Sequence, residues 1–222
     1  MESQRFGFTL LGLRYASSQP TELRFIRTYG INENLMNKFI VGLIIATLVF
    51  SAHAQRVTSL KPAPTGYSWY PDRDAGVAVL KPDGWFVKTE TKNGTDSLFI
   101  SKEDIATSGE FQTGLSLNLV HGIKKKSGLS STRYAVAFLS KALEGNEELM
   151  SFANQSNGMN NFGIRIKNQN LNKVIHYYLV ANDAEDTLRI FMFESPIKDW
   201  DAAWQIGEPM FRNLILVLPK DS

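Results

Sequence analysis

The sequence predicts an α/β protein of the α+β class, an antiparallel β-sheet sandwiched by helices. Runs of alternating apolar residues recur between residues 77 and 193. The connections between the last three runs are short and polar, which suits hairpins and not crossover helices. Two further stretches repeat apolar residues every three or four positions, the spacing of amphipathic helices.

Val77, Ala78, Val79 and Leu80 form the first strand, Pro82-Asp83-Gly84 turns the chain, and Trp85-Phe86-Val87 restarts an extended run. Asn93-Gly94 marks a tight turn leading into Leu98-Phe99-Ile100. Leu115, Leu117 and Leu119 alternate with Ser116, Asn118 and Val120, the period of a strand with one face toward a core. Residues 124–128, with three lysines, close that strand as a solvated loop. Ser130 or Ser131 caps a helix of about three turns in which Tyr134, Phe138 and Ala142 share a face, and Gly145 ends it.

Residues 152–161, rich in Asn, Ser and Gly, are expected to be a loop. Three strands follow as an antiparallel meander: Phe162, Ile164 and Ile166 mark one, residues 174–181 the next, and residues 187–193 the last. On the last, Leu188, Ile190 and Met192 oppose Arg189, Phe191 and Phe193. Trp200, Ala203, Trp204, Gly207, Phe211 and Leu214 then define a helix, with Asp199 at its N-terminal amides and Pro209 expected to kink or split it. The paired tryptophans read as core.

The N-terminal third is organised differently. Asn37 and Lys38 precede the uncharged apolar run 39–50, and Ala52 and Ala54 supply the small residues a signal peptidase reads. Residues 36–54 are therefore expected to be a signal peptide cleaved between Ala54 and Gln55. Residues 1–35 are read as a mis-called upstream extension, with Met36 the true start. A membrane anchor needs about 20 apolar residues, more than this run offers, so no stable membrane insertion is expected after cleavage. Residues 55–66, with Pro62 and Pro64, read as a linker, and 67–218 as one domain.

Removing the five basic and three acidic residues before Gln55 from totals of 24 and 22 leaves 19 of each. A neutral domain gives no electrostatic case for nucleic acid or for a charge-driven membrane partner. The absence of cysteine excludes disulfides, thiol catalysis, thiolate metal sites and a lipid-modified N-terminal cysteine.

The strand leading into Pro82-Asp83-Gly84-Trp85, the leucine-rich strand 115–120, the helix 131–144, the C-terminal meander and the closing helix 200–215 together resemble the PsbP-like family over 67–217. That family is named for an extrinsic subunit of photosystem II and includes exported bacterial proteins and a Ran-binding nuclear import factor. The resemblance implies an antiparallel sheet sandwiched by helices, an envelope location, and members that mostly bind or scaffold. It transfers no site residue.

Templates for catalysis fail at a defining residue. Gly114-Leu115-Ser116-Leu117-Asn118 lacks the second glycine of a nucleophile elbow and reads as strand. After the signal only His121 and His176 remain as histidines, on separate strands, where a metal or acid–base pair competes with ordinary strand positions. Asp183, Glu185 and Asp186 crowd a turn, and Asp72 and Asp74 precede Gly76; both groups offer oxygen ligands without EF-hand spacing. No cofactor and no metal is expected. The expected function is that of an exported, non-enzymatic binding or scaffold protein of the bacterial envelope, its partner an envelope protein or a small molecule. The alternatives are a small-molecule or metal-binding module, with a pocket against helix 131–144 or beneath the loop around Asn157, and a carboxylate- or histidine-dependent enzyme.

Overall fold

The computed structural model describes residues 60–92, 95–109 and 111–216. The upstream extension, the signal peptide with its Ala54–Gln55 cleavage point and the Asn93-Gly94 turn lie outside these described residues. Among the described residues ten strands run in order: β1 (Tyr67–Asp72), β2 (Val77–Pro82), β3 (Phe86–Lys92), β4 (Thr95–Ser101), β5 (Gly114–His121), β6 (Glu147–Ser156), β7 (Met159–Asn168), β8 (Lys173–Asn182), β9 (Thr187–Pro196) and β10 (Ile215–Leu216). Helices α1 (Ile105–Ser108), α2 (Ile123–Ser127), α3 (Ser131–Leu143) and α4 (Trp200–Arg212) are interspersed, and a 3-10 turn (Ile197–Asp199) leads into α4.

Because β9 is apolar on both sides, it must lie in a sheet covered on both faces. It is the middle strand of a seven-stranded antiparallel sheet in the order β3-β4-β5-β9-β8-β7-β6. One face packs against α3, whose Tyr134, Ala135 and Leu139 meet Ile164, Tyr177, Leu179 and Ile190. The opposite face is covered by α4 together with a three-stranded sheet, β1-β2-β10. There Val79, Leu80, Trp200 and Met210 bury Leu98, Leu115, Phe191 and Phe193. The expected α+β sandwich is thus present, with one cover made jointly by a helix and a small sheet.

Helix α3 begins as the sequence predicts: the Ser130 hydroxyl accepts from the Arg133 amide, and Gly145 takes the left-handed φ of 70° just beyond the helix. The expected loop at 152–161 is a hairpin instead, formed by β6 and the start of β7. Its two central residues, Asn157 and Gly158, have φ values of 51° and 74°, the pattern of a two-residue type I′ turn. Strand β6 is an exposed edge, so it carries polar side chains without an apolar alternation.

Four local expectations are corrected similarly. The lysine-rich 124–128 segment is mostly the short helix α2, stopped by left-handed Gly128. Helix α4 runs unbroken through Pro209 to Arg212, since the amide that proline lacks would have served the carbonyl of Gln205, an exposed residue that water can reach. It also ends before 215, leaving Ile215 and Leu216 to pair with Ala78 and Val77. The Asp199 side chain makes no capping hydrogen bond.

Candidate functional site, an aromatic cleft beside the C-terminal helix

Strand register places the side chains of the α4 face in rows. Met150, Arg165, His176 and Phe193 lie opposite one another across β6, β7, β8 and β9, and Phe152, Gly163, Tyr178 and Phe191 form the next row. Helix α4 crosses these rows with Trp200, Trp204 and Phe211. Close approach is possible because position 207 is glycine; a Cβ there would fall 2.6 Å from Cζ of Phe193.

The result is an aromatic cluster around a histidine. The His176 ring meets Trp204 edge-on at 4.7 Å and Phe211 at 4.9 Å, and Trp204 stacks on Trp200 at 5.3 Å. The guanidinium of Arg165 lies 4.1 Å from the centre of the Trp204 ring and 5.0 Å from that of Trp200, within cation–π range. Beside this cluster opens a cleft of about 220 Å³ lined by Phe152, His176, Tyr178, Phe211, Arg212 and Leu214.

The polar groups of the cleft differ in how they are satisfied. The Tyr178 hydroxyl donates to Oδ1 of Asn161 at 3.2 Å, and the Asn161 amide in turn donates to Asn154 and Ser156. Arg212 bonds Glu208 one turn back through Nε and Nη2, at 3.0 and 2.8 Å. His176, 5% exposed, leaves Nδ1 buried without a hydrogen-bond partner, and Nε of Arg165 is likewise unpartnered. Burial, with the Arg165 charge adding to it, pushes the His176 pKa down from 6.5 to about 3, so the imidazole is neutral at ordinary pH.

Among solved structures similar to this chain is the solution structure of cyanobacterial PsbP (CyanoP) from Synechocystis sp. PCC 6803, 15% identical, covering 69% of this chain and 94% of that one with a TM-score of 0.47. The Saccharomyces cerevisiae Ran-binding protein Mog1p is 13% identical over 68% of this chain and 95% of that one, TM-score 0.43. A Mog1 point mutant is 14% identical over 68% and 96%, TM-score 0.42. No protein-family model matches this chain, and neither does any curated protein.

The sequence candidates separate in space. His121 is exposed at the end of β5, level with Thr187 and Asn182, whereas His176 lies six positions back along β8. Strand geometry sets the two histidines roughly 20 Å apart. The acidic turn serves the structure: Oδ1 of Asp183 accepts from the Thr132 amide and Oδ1 of Asp186 from the Lys124 amide, each at 2.8 Å, so both carboxylates hold helix N-termini. Glu185 lies near enough to Arg189 to favour its charge. Oδ1 of Asp72 accepts from the Ala75 amide within its own turn. Among the described residues no group of three or more His, Cys, Asp or Glu side chains is arranged to hold a metal.

The cleft lies on the sheet face opposite α3, away from the pocket expected against that helix, whereas the 152–161 segment of the other expected position gives it Phe152 as a wall; sequence reasoning passed over the roles of Arg165, Phe152 and Gly163. One signal was present: Gly163 and Arg165 interrupt the second face of β7, whose neighbour β8 buries both faces.

Proposed function

We propose that this chain is an exported binding protein of the bacterial envelope, not an enzyme, and that the cleft beside α4 receives a small ligand. The observation that carries this reading is the state of His176. A general acid or base works best with a pKa near the operating pH, and this imidazole is held at about 3. It is instead an unpaired hydrogen-bonding group on an aromatic wall, the composition of a recognition site: apolar surface with a few oriented polar atoms. Among the described residues no helix is long and apolar enough to cross a membrane.

Two measurements test the proposal. Expression from Met36 in a bacterium, followed by N-terminal sequencing of the envelope fraction, should return Gln55; retention of the apolar run would overturn the export reading. A thermal-shift screen against envelope metabolites should find a ligand that stabilises by about 2.7 kcal/mol at 100 times its Kd, roughly 5–11 °C for a domain of this size. The shift should vanish in Phe211→Ala. A second reading, docking of a protein partner, is favoured by the edge strand β6, where Leu149 is 45% and Phe152 36% exposed. Crosslinking from β6 with no small-molecule shift would select it.

A further inference from the structure

Building on the cleft reading, we infer that its ligand is a small monoanionic aromatic acid, one ring carrying a carboxylate. Size sets the first limit. Pockets for drug-sized ligands span about 300–1,000 Å³, and a cavity of about 150 Å³ holds benzene. At about 220 Å³, the cleft suits one ring with a short substituent. Phe152, Tyr178 and Phe211 line it, supplying offset or edge contacts to such a ring.

Charge sets the second limit. Arg212 lines the cleft, Arg165 lies beside it, across the strand pair from the lining residue His176, and one carboxylate, Glu208, serves both: it bonds Arg212 directly and lies close enough to Arg165 to favour its charge. The local balance is one negative charge short of neutral, which a monoanion supplies and a cation worsens.

Hydrogen bonding sets the third. The Nε–H of Arg165 is a donor in every state of that side chain, and it is buried without an acceptor. Nδ1 of His176, directly across the strand pair from Arg165, is also unpartnered, and His176 lines the cleft. Leaving such groups unpaired costs about 1–3 kcal/mol each. A carboxylate, which only accepts, answers the imidazole once a small turn of the ring brings Nδ1, closed to solvent in this structure, to the cleft with its hydrogen, and Arg212 meets it at the rim.

The test titrates the purified full chain with phenylacetate, 2-phenylethanol and 2-phenylethylammonium, which share a ring and differ in head-group charge, following the His176 ring signals by NMR. Phenylacetate should bind at least tenfold more tightly than the other two. Arg165→Gln should erase that preference while 2-phenylethanol affinity stays within twofold. Should Arg165→Gln fail to fold, Arg212→Gln on the exposed rim should reduce the preference at least threefold. Equal binding of all three probes overturns the carboxylate inference and leaves the cleft reading intact. Perturbation of His176 by none of them at millimolar concentration overturns both. Acetate binding as tightly as phenylacetate overturns the aromatic part.

Discussion

The ring of Phe152 lies over Gly163, its direct partner across β6 and β7, and stacks on Tyr178 of the next strand at 6.2 Å. A Cβ at position 163 would fall 2.0 Å from the Phe152 ring, so only glycine lets the edge strand place this wall of the cleft. Gly163→Ala should therefore displace Phe152 and destabilise the fold by about 1–3 kcal/mol, the usual cost of overpacking. Urea unfolding of Gly163→Ala, Phe152→Ala and the double variant checks this. The two changes should be strongly non-additive, with Phe152→Ala relieving most of the Gly163→Ala penalty.

His176 makes stability depend on pH. Its pKa falls from 6.5 in the unfolded chain to about 3 in the fold, so below pH 6.5 the unfolded state takes up a proton that the native state refuses. The stabilisation is fully present above 6.5 and is lost as pH falls toward 3, at up to about 1.4 kcal/mol per unit. Chemical unfolding at pH 7, 5.5 and 4.5 should show a steeper loss in the native protein than in His176→Phe. Parallel curves would contradict a buried neutral imidazole.

The hairpin joining β8 to β9 holds two helices by their amides. Asp183→Ala removes the acceptor for Thr132 in the first turn of α3 and should cost about 0.5–2 kcal/mol, the range for a lost N-cap. Asp186→Gly, which suits the left-handed φ of 52° while deleting the acceptor for Lys124, isolates the α2 contact. Calcium should not shift the melting temperature of either variant or of the parent; a calcium-dependent shift in the parent alone would restore the metal reading of this turn.

Lys173 and Glu194 form a largely buried pair at 2.6 Å, and the same ammonium donates to the carbonyl of Phe111 at 2.9 Å. Burial raises the Glu194 pKa, and the lysine opposes that rise. Lys173→Met should destabilise by about 3–5 kcal/mol because it strands a buried carboxylate. Adding Glu194→Leu should recover much of the loss, with the lost hydrogen bond from Lys173 to the Phe111 carbonyl as the remainder of the effect. Denaturant midpoints of the three variants decide the matter.

Legibility in the sequence follows burial. The meander β7, β8 and β9 and the helices α3 and α4 announced themselves because each has an apolar face with one period, and the alternation of Leu188, Ile190 and Met192 against Phe191 and Phe193 matches the two cores of the structure. Strand β6 did not, because an exposed edge has no apolar period to read. Its local signal was nonetheless available in Asn157-Gly158, a strong hairpin dipeptide that the surrounding polar residues disguised as loop. The short strand β10 was absorbed into the helical stripe, since Ile215 and Leu216 continue it in spacing. The cleft was hidden for a different reason: Arg165, His176, Trp204 and Phe211 come together only once three elements pack, and the two separate histidines drew attention that belonged to a single one.

The order of the large sheet carries a consequence for how the chain assembles. Every neighbouring pair except one joins strands consecutive in sequence, so each half can zip locally. The exception is the central junction, where Leu117 meets Phe191 and Leu119 meets Arg189. Closing it brings together two segments separated by five other elements, and such distant pairings cost chain entropy before any contact rewards them. Until that closure both inner strands present open edges. The sheet's central hydrogen bonds thus carry its largest loop-closure cost, and in any state that lacks them a second copy of the chain can compete for either open edge.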